Sequence, residues 1–307
     1  SVEMNKWLYA GVALVAMAGA TTMGAQAQTY VLGMKGPGAG NPFWAAVEAG
    51  AKAKGEELGV EVVVVAPPAE SDVQAQISQM EDLIAQGVAG IALAPTDPNA
   101  LAPVVEAAKA AGIPVVFVDT RGTNEGVSFI GTDNQAGAAL AAKYICDNVE
   151  PGSEVAILQG LISQSTGQAR AEGAKSALEA CGLKVVAEQT AEWDRAKGLA
   201  VTETILAGNP NIKAIFGSND NMALGAVEAL KAAAMLDQVM VVGFDANPDA
   251  AKSILAGEMT ATIAQAPGNM GGYGIQALAD LAAGKTLDDW IDTGTVLVNS
   301  ENAAEYQ

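Results

Sequence analysis

The chain of 307 residues carries 16 Lys and Arg against 35 Asp and Glu, half of its residues are hydrophobic, and it has no histidine. That length sets a prior of two domains with ample core, and a net charge of −19 argues against a nucleic-acid partner, which needs a basic face. The lack of histidine removes Ser-His-Asp and Cys-His catalysis and the His-based zinc motifs.

Residues 1–27 read as a cleavable signal peptide. Lys6 supplies a positive start, 8–23 is an apolar run too short for a good membrane span, and Ala25-Gln26-Ala27 is a cleavage site. The mature chain is expected to begin near Gln28, outside the cytoplasm.

Residues 30–34 then read as a buried strand, and 36–40 as a Gly-rich loop. Asn41 caps the next helix with Pro42 in its first position, and Phe43, Val47, Ala51 and Leu58 keep one helical face. A strand at 60–66 stops at Pro67-Pro68, and a helix follows at 72–86. A strand at 90–94, a helix at 98–111 and a strand at 114–118, ending on Asp119, complete a βαβαβαβ run.

A short strand at 129–131 precedes a second run of the same kind. Helices are expected at 134–148, 166–180 and 195–207, with strands at 154–158 and 184–188. Three apolar runs then end alike: 214–218 on Asn219-Asp220, 239–244 on Asp245, and 261–264 on Gln265, with helices at 222–233 and 247–256 between them. A helix at 267–283 and an extended segment at 290–298 close the chain.

Alternating strands and helices imply parallel sheets with helices on their faces, and ligands sit beyond the carboxyl ends of such strands. Here those ends present an amide, a carboxylate and a second amide, which suit a neutral hydroxyl-rich molecule better than a phosphate. Asn219 and Asp245 would equally serve as caps of the helices that follow them.

Other motifs have bland alternatives. The loop 36–40 sits where a dinucleotide loop would but does not fit G-x-G-x-x-G, and the second strand ends on prolines rather than an acid for a ribose. Phe43, Trp44 and Trp193, at loop or helix-start positions, could cover the apolar face of a sugar ring or pack in the core. Arg170 opens a helix after the loop 160–167, and exposed arginines are mostly solvated; Asp119, at a strand end, is the stronger candidate. Cys146 and Cys181 are not C-x-x-C and cannot alone hold a metal; one disulfide and two separate thiols both remain open.

Taken together, these residues resemble the periplasmic ribose- and allose-binding proteins of ABC sugar uptake systems. The resemblance spans the whole mature chain and rests on Asn41-Pro42-Phe43-Trp44, Val118-Asp119, Thr132-Asp133-Asn134, Gln159-Gly160, Trp193-Asp194-Arg195, the run 218–225, Val242-Gly243-Phe244-Asp245 and the run 261–265. It implies an α/β fold of two Rossmann-like lobes, each a parallel sheet flanked by helices, joined by a three-segment hinge as in type I periplasmic binding proteins. The expected lobes are 28–132 with 266–293, and 133–265 with 294–307.

By the same resemblance Asn41, Asp119, Arg170, Asn219, Asp245 and Gln265 bond sugar hydroxyls, Phe43, Trp44 and Trp193 sandwich the ring, and Leu161 and Phe244 line the cleft. Lys35 stands where allose binders carry a lysine, which leans towards a hexose or a similarly large polyol. Two departures stand out. The loop between Lys35 and Asn41 is longer than is usual, and Thr120 replaces the arginine of ribose binders and the glutamate of allose binders, with Arg121 one place on. The implied function is capture of a small carbohydrate in the periplasm for an ABC permease, with a chemoreceptor as a further partner and no cofactor, metal or nucleic acid. Two rivals remain: a two-lobed transcriptional regulator, which would need a basic helix-turn-helix where residues 1–27 stand, and a carbohydrate enzyme using a carboxylate pair from Asp119, Asp220 and Asp245.

Overall fold

The computed structural model describes residues 28–307, so the expected signal peptide lies outside the described residues. Apolar runs rich in Val and Ile form β1 (Thr29–Gly33), β2 (Glu61–Val65), β3 (Gly90–Leu93), β4 (Val115–Val118) and β5 (Phe129–Gly131), as β-branched residues favour. Between them run α1 (Pro42–Leu58), α2 (Val73–Gln86) and α3 (Pro98–Ala110), started by Asn41, Asp72 and Asp97, whose side chains accept from first-turn amides. With β11 (Trp290–Asp292) these strands make one six-stranded parallel sheet, in the order β11-β5-β4-β3-β1-β2.

The second half repeats the scheme. The elements β6 (Glu154–Gln159), β7 (Lys184–Thr190), β8 (Ala214–Gly217) and β9 (Met240–Val242) pair in parallel in the order β7-β6-β8-β9. The helices of this half are α4 (Asn134–Asn148), α5 (Ser165–Ala180), α6 (Arg195–Gly208), α7 (Asp220–Ala232) and α8 (Pro248–Leu255). Next to β9 comes β10 (Thr262–Ala264), tied in by single bridges from Val242 to Ala261 and from Asp245 to Ala264.

The stretch expected to be one extended segment, 290–298, is two strands in different sheets. β11 joins the first sheet, the chain turns at Gly294 (φ 82°), and β12 (Val296–Val298) pairs antiparallel with β10. With α9 (Pro267–Ala282) packed on α1 and β4, the chain passes between the two sheets three times: after β5, after β10 and after β11. The helix pair α1–α9 meets backbone to backbone, for a Cβ on Gly50 would stand 2.0 Å from the Gly268 carbonyl oxygen and one on Gly271 2.0 Å from that of Val47. Any larger residue there would push α9 off the first sheet.

Separate apolar clusters fill the two faces of each sheet. Cys146, late in α4, and Cys181, just after α5, form a disulfide with Cα atoms 6.3 Å apart, so the bridge replaces two separate thiols. Among the described residues, no helix is long and apolar enough to cross a membrane, and no cluster of His, Cys, Asp and Glu could hold a metal ion.

Candidate ligand-binding site

The carboxyl ends of both sheets face one small cavity. The first half contributes Lys35 just after β1, Asn41, Phe43 and Trp44 at the start of α1, Glu70 after β2, and Asp119 after β4. From the second half come Thr166 and Arg170 on α5, Trp193 before α6, Asn219 after β8 and Asp245 after β9, with Gln265 at the crossing into α9. Ten of the twelve residues singled out from the sequence therefore meet at one place.

Two of them cap helices while lining the cavity. Asn41 Oδ1 accepts from the Phe43 amide and Asn219 Oδ1 from the Met222 amide, so the two caps are oriented by their helices. Asn219 thus caps its helix and lines the cavity at once. Asn219 Nδ2 also donates to the Trp193 carbonyl. Asp119 (φ 62°), Trp193 (φ 64°) and Asp245 (φ 131°) hold positive φ, a conformation that costs a non-glycine residue about 1–3 kcal/mol. At each the chain turns sharply out of its strand or loop, and the side chain is carried into the cavity.

The aromatic rings are tethered by their polar edges. The Trp44 indole donates to Glu70 Oε1 at 2.7 Å and packs edge-on against Phe43, with centroids 5.0 Å apart. The Trp193 indole donates to Gln164 Oε1 at 2.9 Å. Gly160 lies under that ring, 2.2 Å from which a Cβ would stand. A residue with a side chain at 160 would displace the indole.

Arg170 is the most firmly placed charge. Its Nε donates to Asn134 Oδ1 and its Nη1 to the Ser218 carbonyl, both at 2.9 Å, while its guanidinium lies 4.0 Å from the Phe244 ring centroid. Asp245 Oδ1 is 3.9 Å from Nη1 and accepts from Gln265 Nε2 at 2.6 Å; Gln265 in turn accepts from Thr132. Burial pulls the Arg170 guanidinium below its usual value, against the nearby acids led by Asp245. Burial pushes Asp245 up to about 8, with Asp220 and Asp119 adding to the rise and Arg170 and Gln265 opposing it.

Asp220 belongs to the frame instead. Its carboxylate accepts from Thr262 Oγ1 at 2.6 Å and from the Asn247 amide at 2.8 Å, pinning the ends of β8, β9 and β10 together, and it does not line the cavity. Its pKa is raised to about 6 by burial, against these bonds. A carboxylate pair built on Asp220 is therefore not available to a ligand.

Leu161 and Phe244 do not line the cavity. Leu161 lies on a wider groove at the mouth. Phe244, fully buried, forms the floor beneath Arg170, while the turn at Asp245 carries that carboxylate to the cavity side. Arg121 turns to solvent, pairs with Asp289 at 3.0 Å and takes no part in the cavity. Sequence reasoning missed Glu70, Thr166 and Gln164. Glu70 sits in a proline-bounded loop with no strand-end signal, and the other two are marked only by their contacts across the cleft.

Residues 32–286 match the family of the periplasmic binding protein domain. The chain is 39% identical over 289 residues to the D-allose-binding periplasmic protein of Escherichia coli, covering 90% of this chain and 92% of that one. It is 36% identical over 264 residues to a ribose import binding protein of Bacillus subtilis, covering 85% of each. Among solved structures, an ABC transporter periplasmic solute-binding protein from Actinobacillus succinogenes with bound D-allose superposes with a TM-score of 0.85 at 30% identity, over 91% of this chain and all of that one. The Caulobacter myo-inositol binding protein gives 0.85 at 31% identity, over 92% and 96%. These relatives are named for binding and import, not for catalysis, and the chain belongs with them to the periplasmic binding protein family.

Proposed function

We propose that the cavity takes one small neutral carbohydrate, a monosaccharide of the allose or ribose type or a polyol, and that the protein delivers it to an ABC permease. The observation that carries this reading is the convergence of hydroxyl-matched groups and two tethered indoles on one small space between two sheets. Asn41, Asp119, Arg170, Asn219, Asp245 and Gln265 take hydroxyls, each of which both gives and accepts, while Phe43, Trp44 and Trp193 cover the C–H faces. A buried polar group left without its hydroxyl costs about 1–3 kcal/mol, which gives the site its selectivity.

The two lobes are 28–132 with 266–293, and 133–265 with 294–307, a division supported by the three passages between sheets. They close on the ligand because both touch it only when together. Residues 1–27 direct export to the periplasm and are then removed. A chemoreceptor is a second partner of the closed form.

A thermal-shift and calorimetry screen over aldoses, ketoses, polyols and amino sugars tests this. One or a few neutral members are expected to bind, to be recovered unchanged after long incubation, and to reduce the radius of gyration in small-angle scattering. Binding by none of them, or conversion of the one that binds, would sink the reading.

A further inference from the structure

The Lys35 ammonium is surrounded by the protein's own acceptors. Asp119 Oδ2 lies at 3.2 Å, Gln164 Oε1 at 2.9 Å and Thr166 Oγ1 at 3.2 Å, and the side chain is 4% exposed. An ammonium has three donors and no acceptor. Two of its hydrogens are thus bonded to groups of the second half, and its charge is paired with Asp119. Asp119 Oδ2 accepts a hydrogen bond from Thr120 Oγ1 at 2.7 Å beside its ion pair with Lys35.

The three acceptors come from opposite sides. Asp119 follows β4 of the first sheet, whereas Gln164 and Thr166 stand at the start of α5 in the second half. Gln164 Oε1 also accepts from the Trp193 indole, so Lys35, Gln164 and Trp193 form one linked unit. The ammonium lies 5.7 Å from the Trp44 ring centroid and 5.8 Å from that of Trp193, bridging the two rings as well.

Resting on the proposed function, we infer that Lys35 is a positioning residue, a charged latch across the cleft. Its bonds to Gln164 and Thr166 exist only when the two halves meet, so they favour the closed form by themselves. Through Gln164 the latch also sets the angle of Trp193. Removing it should weaken every ligand alike, because what is lost is closure, not one hydroxyl contact.

The test uses the full chain with spin labels at the exposed positions Glu81 and Glu203, on α2 and α6, the native cysteines being bridged. Without ligand, Lys35→Met is expected to cut the short-distance population roughly tenfold, on the scale of one charge-assisted contact. Across the sugar panel it should raise every measurable Kd by about the same factor, through release, and keep the rank order. Gln164→Leu should shift the ligand-free distances in the same direction, a readout to which no ligand contact contributes. Thr166→Val, which deletes one acceptor at nearly constant shape, carries the distance measurement if Lys35→Met does not fold. An unchanged ligand-free distance distribution overturns the latch. So does a loss confined to sugars bearing one particular hydroxyl, with the matching deoxy sugar unaffected, for that would make Lys35 a direct donor. If no sugar binds the unaltered protein, the proposed function fails while the ligand-free distances still decide the latch.

Discussion

On the first-half side of the cavity, Asn41 caps α1, Glu70 tethers Trp44, and Asp119 accepts from Thr120 and pairs with the Lys35 charge. On the second-half side, Arg170 is gripped by Asn134 and the Ser218 carbonyl, backed by Phe244, and set 3.9 Å from Asp245. The two sides therefore divide the task. The second offers a buried guanidinium whose orientation is fixed in advance, and pre-organisation of that kind lowers the cost of binding. The first offers groups bonded among themselves, of which Lys35 also reaches across to Gln164 and Thr166.

Removing the fixed charge should have the largest effect on this asymmetry. Arg170→Ala leaves the ligand acceptors without their buried donor, and Asp245 with Gln265 alone, and is expected to cost about 2–5 kcal/mol of affinity, mainly through faster release. Stopped-flow kinetics check it; slower association with unchanged release would make Arg170 a steering charge and dissolve the contrast.

The disulfide belongs to the second half alone. Replacing Cys146 and Cys181 by Ser should lower the stability of that half by roughly 2–4 kcal/mol in a denaturant titration and leave sugar affinity unaltered. Mass spectrometry after alkylation without reduction provides the covalent check, since two labelled thiols would exclude the bridge.

Trp193 comes from the second half but is tied into the latch, so it probes where the two sides join. Trp193→Ala is expected to weaken the sugar more than tenfold, about 1.4 kcal/mol, and to remove part of the fluorescence change on binding. Unchanged affinity would take the ring out of the site.

A pH slope is a further test, on stability instead of affinity. With Asp245 raised to about 8 in the folded protein from an ordinary value of 3.8, the native state binds more protons than the unfolded state between those limits. Its contribution to stability is therefore present in full below the lower limit and lost as pH rises through the upper one. Asp245→Asn keeps the shape and does not titrate, so its melting temperature should fall less between pH 5 and pH 8 than that of the unaltered protein. Parallel profiles would place the proton elsewhere.

Much of this was legible in the residues. Strand ends at Asp119, Asn219, Asp245 and Gln265 could be placed because apolar runs and capping residues are local signals, set by side-chain periodicity and by amides that need partners at a helix start. That ten of the twelve singled-out residues share a cavity follows from the rule that strand carboxyl ends face one way in a parallel sheet.

Other features depended on distant parts of the chain. Nothing in 290–298 says that β11 and β12 enter different sheets, since pairing partners lie far away in sequence. Phe244 and Asp245 are adjacent, yet one is floor and the other wall, and only the packing around Arg170 selects which. Local pattern determined the two α/β halves, their caps and the polar strand ends, because those depend on a residue and its near neighbours. Tertiary structure decided the bonds from Lys35 to Gln164 and Thr166, which span 129 and 131 residues, because a contact across a cleft is a property of how two halves meet and leaves no periodicity in either.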